Sequence, residues 1–439
     1  MRFYLLLSTL ALAALVFSGC DSILGSKDDA TTDEIFDEGA VDPTLVDEVG
    51  YVPLNPFYTQ SANGGQLQSP VDVYVGFDEL IYVGDEQGLH VLDLSGRPQA
   101  FLGEIGWSDG AAQPIRDITA VVQDRQFDLL VAARRDTTLG TGDDARTWDL
   151  PVVYRISGVT TGAPMLEDIV WHPFDDRSRS ANQFRNPREY SSGFSDEDAR
   201  FTDVAVLANN SFYVSRSGPV NTQADGLPSI VVPFNGVLAF TQAGTNTRYI
   251  SALSATQPSL LSAVYPSALA TPIGPPQRST FPETQDFFVA QNPPGEVSLR
   301  YPVLSVLVVE TTLGTEFRVD TERLGAAANP DNGDGFLYED FGTVSPTALT
   351  LAADETGYLF VTDETTDSLY VFNRNGVEGV APPPGAGTLR PVKVSFGGEG
   401  SGPLTFDDPQ GVAYFDRIVY VADTGNNRIA RYRLNTDFE

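Results

Sequence analysis

The feature that most constrains this chain is a short core that recurs six times: an apolar or aromatic residue, a valine, then a small residue. It appears as Tyr82-Val83-Gly84, Leu130-Val131-Ala132, Tyr213-Val214-Ser215, Phe288-Val289-Ala290, Phe360-Val361-Thr362 and Tyr420-Val421-Ala422. Valine flanked by aromatic residues suits a pleated, buried strand, and self-similarity along a chain marks a repeat architecture. Most copies follow an apolar run that reads as an inner strand: Val71 to Val75, Ile118 to Val122, Val204 to Leu207, Thr347 to Ala352 and Gly411 to Phe415. Third strands are expected at 89–94, 152–156, 237–240, 303–309, 369–372 and 429–434, and fourth strands at 101–105, 166–171, 248–253, 316–319 and 392–396. Four strands per copy, with Gly, Pro, Asn and Asp between them and no convincing amphipathic helix, predict an all-β, six-bladed β-propeller over residues 51–439.

The central valines follow one another at intervals of 48, 83, 75, 72 and 60 residues. A bare blade needs roughly 40 to 45, so the excess is loop, concentrated at 171–200, 215–229, 257–284 and 325–340. Loops on a rigid scaffold carry most ligand contacts. The last copy ends after its third strand, so another segment must complete that blade. Residues Tyr51 to Tyr58 are the expected donor, and their pairing would remove two exposed sheet edges.

The last copy reads Phe406-Asp-Asp-Pro409-Gln-Gly411-Val-Ala-Tyr-Phe, then Ile418-Val-Tyr-Val-Ala-Asp423-Thr-Gly425-Asn-Asn-Arg428-Ile. This closely resembles an NHL repeat. Residues 346–372 are a weaker match, with Asp363 in the place of Asp423 but Ser368 where the arginine should stand; residues 69–94 keep Asp85 and lose the Asn-Arg pair. Gly425 is expected to permit a left-handed turn between the second and third strands, with Asp423 and Arg428 holding each other or the turn's backbone across it. These are structural turn roles.

Before the propeller, Met1-Arg2 is a basic start, residues 3–17 are a mostly apolar run too short to span comfortably as a helix, and Ser18-Gly19-Cys20 follows. The single cysteine, preceded by small residues, resembles the cleavage and lipidation site of bacterial lipoproteins, though Phe17 departs from the usual leucine. That resemblance implies a signal peptide over 1–19, acyl chains on Cys20, and membrane lipid as a partner. Residues 20–50 form an acidic tether, with ten carboxylates between Asp21 and Val49 against Lys27. Ser26-Lys27-Asp28-Asp29 looks like the signals that send some lipoproteins to the cell surface; a solvated spacer is the plainer reading. The expected place is the bacterial envelope, with the outer membrane or cell surface favoured.

The formal net charge of −32 excludes nucleic acid as a natural partner and leaves no polybasic patch for anionic lipid. Lys27 and Lys393 are the only lysines. Many carboxylates with almost no lysine resemble proteins of salt-loving bacteria, where salt screens self-repulsion, and fit equally a lysine-poor, GC-rich genome.

Some related six-bladed propellers are enzymes that hold metal with histidines and carboxylates in the channel. This chain has only His90 and His172, without paired ligand spacing. Asp331, Asp334 and Glu339, in a glycine-kinked acidic stretch, are weak calcium candidates whose spacing fails the EF-hand template. Thr141 to Trp148 resembles the Asp-box turn of sialidase propellers, but Ala145 replaces its glycine and the position is one hairpin early. Neither a Gly-x-Ser-x-Gly elbow nor a phosphate-cradling Gly-Lys-Ser/Thr loop is present. The sequence therefore favours a non-enzymatic scaffold that binds an envelope protein or a glycan. The alternative is a calcium-dependent hydrolase or lyase, with calcium its only expected cofactor.

Overall fold

The computed structural model describes residues 49–107, 110–171, 195–218, 235–250, 265–274, 284–295, 301–312, 314–320, 343–383 and 389–438. Cys20, the tether, His172 and the acidic stretch holding Asp331, Asp334 and Glu339 lie outside the described residues, as does most of the expected loop excess.

Six four-stranded antiparallel sheets make up the described chain. The first strand, β1 (Tyr51–Pro53), stands apart from the sheet that follows it. Blade 1 contains β2 (Asp72–Val75), β3 (Leu80–Asp85), β4 (Gly88–Asp93) and β5 (Pro98–Leu102). A two-stranded ribbon, β6 (Glu104–Gly106) with β7 (Ala112–Pro114), leads into blade 2: β8 (Arg116–Gln123), β9 (Leu129–Leu139), β10 (Arg146–Ser157) and β11 (Met165–Trp171). Blade 3 is β12 (Arg200–Val206), β13 (Phe212–Ser217), β14 (Gly236–Phe240) and β15 (Asn246–Ile250); blade 4 is β16 (Pro266–Ala270), β17 (Phe287–Gln291), β18 (Val303–Thr311) and β19 (Gly314–Val319). Blade 5 is β20 (Pro346–Leu351), β21 (Leu359–Asp363), β22 (Ser368–Phe372) and β23 (Phe396–Gly397). Blade 6 has β24 (Pro409–Phe415), β25 (Ile418–Asp423) and β26 (Arg428–Leu434), with β1 as its fourth strand.

The inner strands β2, β8, β12, β16, β20 and β24 each lie against the next, and β24 returns to β2, which closes a six-bladed ring. All six repeated valines are buried in second strands. A second strand has a neighbour on both edges and a sheet on both faces, which is why its residues are apolar without alternation. Aromatic residues fill the wedges between blades: Phe360 stacks on Tyr414 at 5.2 Å, and Tyr213 meets Phe287 at 4.9 Å.

Closure uses the segment expected from the sequence. Tyr51, Val52 and Pro53 pair with Leu434, Arg433 and Tyr432, and Tyr58 exchanges backbone hydrogen bonds with Ile429 at 2.8 and 3.0 Å. Tyr51, Val52 and Tyr58 are buried there, so apolar burial reinforces the pairing.

Two strand expectations need correction. The inner strand of blade 4, β16, lies inside 257–284, where the sequence predicts loop. Its Pro-Ser-Ala-Leu-Ala run has little intrinsic strand preference and is held by pairing with β17. The fourth strand of blade 5 shrinks to Phe396–Gly397, because Val392 pairs instead with Val380 in a side excursion.

Candidate binding site and the inter-blade clips

The turn after each NHL-like second strand is organised by its aspartate. In blade 6, Asp423 Oδ1 accepts the Asp407 N–H at 2.8 Å and Oδ2 accepts Arg428 Nε at 2.6 Å. The other guanidinium nitrogens of Arg428 donate to the carbonyls of Ser401, Gly402 and Thr405, tying the preceding loop to the turn. Burial raises the Asp423 carboxyl above its ordinary value, against the pull of the Asp407 N–H and of Arg428. Gly425 serves this turn differently from the expectation. The left-handed residue is Asn427, with φ 54°, whereas a Cβ on Gly425 would run into the Asp407 carboxylate. Glycine is needed for close approach.

Blade 1 repeats the arrangement with another partner. Asp85 Oδ2 accepts the Gln68 N–H at 2.9 Å, and His90, five residues on as Arg428 is from Asp423, places Nε2 2.8 Å from Asp85 Oδ1. Burial alone would raise Asp85, but His90 together with the Gln68 and Gln87 N–H groups holds its carboxyl below the ordinary value. His90 Nδ1 accepts the Ala62 N–H, which fixes the ring between Asp85 and the Ala62 backbone. In blade 5, Asp363 accepts the N–H groups of Val344, Ser345, Thr365 and Thr366.

A second set of clips joins blade to blade at the start of the inner strands. Thr119 donates to the Phe201 carbonyl, Thr202 to Pro266, Ser267 to Pro346 and Thr347 to Pro409, at 2.6–2.8 Å. Thr424 donates to the Pro70 carbonyl at 2.7 Å and completes the junction from blade 6 to blade 1. The junction from blade 1 to blade 2 has Val71 at the corresponding position and no hydroxyl. There Asp72 Oδ2 instead accepts the Val121 N–H at 2.7 Å, one residue further along the strand, as Asp203 accepts Leu269 N–H at 2.6 Å between blades 3 and 4. Gly411 is the blade 6 equivalent of Asp72 and Asp203; a Cβ there would lie 2.7 Å from Asp72 Cα. Asp72 and Asp203 both line the channel, which has a volume of about 140 Å³. Burial pushes Asp203 up to about 7, and burial plus the charge of Asp203 raises Asp72 well above its ordinary value.

On the face where the inner strands begin, blade 2 departs from its neighbours. β9 and β10 stay paired as far as Leu139 and Arg146, whereas β8 pairs only to Arg134 and β11 only from Val152, so a two-stranded ribbon projects from the blade. Its root is a charge network: Arg134 Nε donates to Asp149 at 2.7 Å and its terminal nitrogens to the carbonyls of Ala199, Asp149 and Glu197. Arg116 bridges Asp136 and Asp149. Arg146 lies 3.8 Å over the Trp148 ring. The stretch that resembled an Asp-box forms the tip of this ribbon. Beside it, blades 1, 2 and 3 enclose a pocket of about 320 Å³ with Val71, Ile118, Ala133 and Phe201 in its lining and charged residues including Glu86, Asp117 and Arg200.

Among the described residues no group of three or more His, Cys, Asp or Glu is placed to hold a metal ion. His90 stands five residues after Asp85 as Arg428 does after Asp423, a spacing present in the sequence but masked there by the change of residue type. The channel carboxylates were missed because a lone Asp beside Val in an inner strand carries no motif.

Residues 406–432, from the loop before β24 into β26, match the NHL repeat family. The protein is a six-bladed β-propeller whose last blade carries an NHL repeat. No curated protein is similar to this propeller in sequence. Among solved structures it is similar to an auxiliary nutrient binding protein from Bacteroides thetaiotaomicron, at 9% identity and TM-score 0.46, covering 88% of this chain and 77% of that one. It is similar also to a gluconolactonase from Xanthomonas campestris, at 13% identity and TM-score 0.42 over 89% and 99% of the chains. A virginiamycin B lyase from Staphylococcus aureus matches at 9% identity and TM-score 0.41, over 88% of this chain and 100% of the lyase.

Proposed function

We propose that this protein is a lipid-anchored binding scaffold of the bacterial envelope. Cys20 carries the acyl chains, the acidic segment to residue 50 spaces the propeller from the bilayer, and the face bearing the blade 2 ribbon grips an envelope protein or a glycan at the outer membrane or cell surface. The observation that carries the binding role is the use made of the buried carboxylates. Asp72, Asp85, Asp203, Asp363 and Asp423 each accept backbone N–H groups that hold strands, turns or blades together. A carboxylate tied to the frame is poorly placed to exchange protons or to ligate a metal. The ribbon and its pocket, by contrast, offer exposed charge beside an apolar floor, the composition of a recognition surface.

The test is crosslinking in intact cells followed by recovery of the full-length protein, with Cys20→Ala alongside. The expected result is one envelope protein or glycan recovered in near-equal amount, and palmitate labelling and membrane retention that vanish in Cys20→Ala. Labelling that persists in the variant overturns the anchor. Recovery of no partner, together with turnover of an added substrate that requires calcium, overturns the scaffold in favour of a calcium-dependent hydrolase or lyase.

A further inference from the structure

The pocket between blades 1, 2 and 3 coincides with the one described junction that lacks the hydroxyl clip. At the other five junctions a Thr or Ser side chain satisfies a carbonyl at or beside the start of the next inner strand; at this one Val71 offers Ile118 no donor, and both residues line the pocket. The β8 strand is bulged here between Arg116 and Ala120, as β12, β16, β20 and β24 are at their starts, and Asp117 takes a φ of 51° as Ser69, Tyr265 and Asp408 do at the equivalent position, so the backbone at this junction follows the pattern of the ring and the missing hydroxyl is what sets it apart.

The charges around this opening are unequal in how they are used. Asp85 and Arg134 are fully engaged by the frame, and Asp117 is paired with Arg116. Glu86 is different. It follows Asp85 as Glu364 follows Asp363 and Thr424 follows Asp423. Glu364 binds Asn292 and Gln410, and Thr424 binds the Pro70 carbonyl. The side chain of Glu86 is exposed and has no partner among the described residues, nor has that of Arg200 from blade 3. One free carboxylate and one free guanidinium therefore border a floor of Val71, Ile118, Ala133 and Phe201. The volume of about 320 Å³ falls at the lower end of the range for small-molecule sites, roughly 300–1,000 Å³.

We propose that this pocket binds a small zwitterion of the amino-acid type: its ammonium group pairs with Glu86 and hydrogen-bonds the Ile118 carbonyl, its carboxylate pairs with Arg200, and its aliphatic part covers the apolar floor. Arg is suited to bidentate recognition of a carboxylate, and the carboxyl groups gathered at blades 1 and 2 favour the ammonium end there. The site goes beyond the macromolecular scaffold and stands or falls separately from it.

The experiment is calorimetric titration of the full chain at low ionic strength with L-leucine, with isoamylamine and with 4-methylpentanoate. These probes share the branched aliphatic part and carry both charges, the amine alone, or the carboxylate alone. Saturable one-to-one binding of leucine is expected, weakened on the order of tenfold to a hundredfold when either charge is missing, as befits losing one charged hydrogen-bonding group. Glu86→Gln and Arg200→Gln should each weaken leucine to a similar degree with unchanged melting temperature, since neither side chain is tied into the frame. No saturable binding at millimolar leucine overturns the inference. So does an amine or acid that binds as well as the zwitterion, a comparison made on the unaltered protein and therefore independent of any variant's folding. A pocket that fails while a partner is recovered from cells leaves the scaffold reading intact.

Discussion

The first and last blades are built from the same positions and finished differently. In blade 6 the turn aspartate is held by Arg428, whose guanidinium also collects three loop carbonyls and lies 4.8 Å over the Phe57 ring of the closing segment. In blade 1 it is held by His90, which reaches only Asp85 and the Ala62 N–H. The junctions differ in the same sense: Thr424 clips blade 6 to blade 1, while Val71 leaves blade 1 open to blade 2. The seam where the chain ends meet has received the denser set of polar links, because it has no covalent continuity to keep it shut. The open junction lies between consecutive blades, where the chain itself limits separation and a gap can be tolerated and used.

The largest effect is expected from Arg428→Ala. The Asp423 side chain is 0% exposed and that of Arg428 12%, so the substitution leaves a buried carboxylate without its cation. Breaking a buried pair from one side costs roughly 3–5 kcal/mol. Chemical unfolding should show a loss of that size, with partner and ligand binding retained by the folded fraction. Normal stability with lost binding would show that Arg428 belongs to a recognition site.

The blade 1 clip should be weaker and should answer to pH in a defined direction. The carboxyl of Asp85 is held below its ordinary value of 3.8, so its charged form stabilises the fold above that value, and the contribution fades as pH falls through the lower folded value. Asp85→Asn is therefore expected to cost about 1–3 kcal/mol near neutrality. The gap to the unaltered protein should close below pH 3.8. Parallel unfolding curves across that window would mean that His90 and the backbone N–H groups contribute nothing through the charge.

How much of this was legible in the sequence follows from what each residue must satisfy. The six valines and their neighbours announced the second strands because those strands are buried on both faces and on both edges. The closing strand was legible by elimination, since Leu434 could not be left at a bare edge. β16 was hidden because its Pro266-Ser-Ala-Leu-Ala run is made into a strand by β17. The hydroxyl ring was invisible residue by residue: Thr119, Thr202, Ser267 and Thr347 look like ordinary strand residues until the six inner strands are superposed. The pocket could not be read at all, since it arises from a missing hydroxyl in blade 1 together with side chains of blades 2 and 3 that only the fold brings beside it.

The smallest and most specific test is to supply the missing clip. Valine and threonine have nearly the same shape, so Val71→Thr changes little but the chance of one hydrogen bond. In this ring the hydroxyl would face the Ile118 carbonyl as its counterparts face Phe201, Pro266, Pro346 and Pro409. A neutral hydrogen bond that forms there should stabilise the propeller by about 0.5–1.5 kcal/mol. It should also weaken any ligand that uses the same carbonyl. The two readouts separate two accounts of the gap. If the position is merely an unoptimised copy of the ring, stability rises and nothing else changes. If the opening is kept for a ligand, stability rises while leucine affinity falls, and the cost of leaving one junction unclipped is what makes the site available. A lower melting temperature in Val71→Thr would sink both accounts, because it would mean that the Ile118 carbonyl is already satisfied and that the apolar contact of Val71 is what holds this junction.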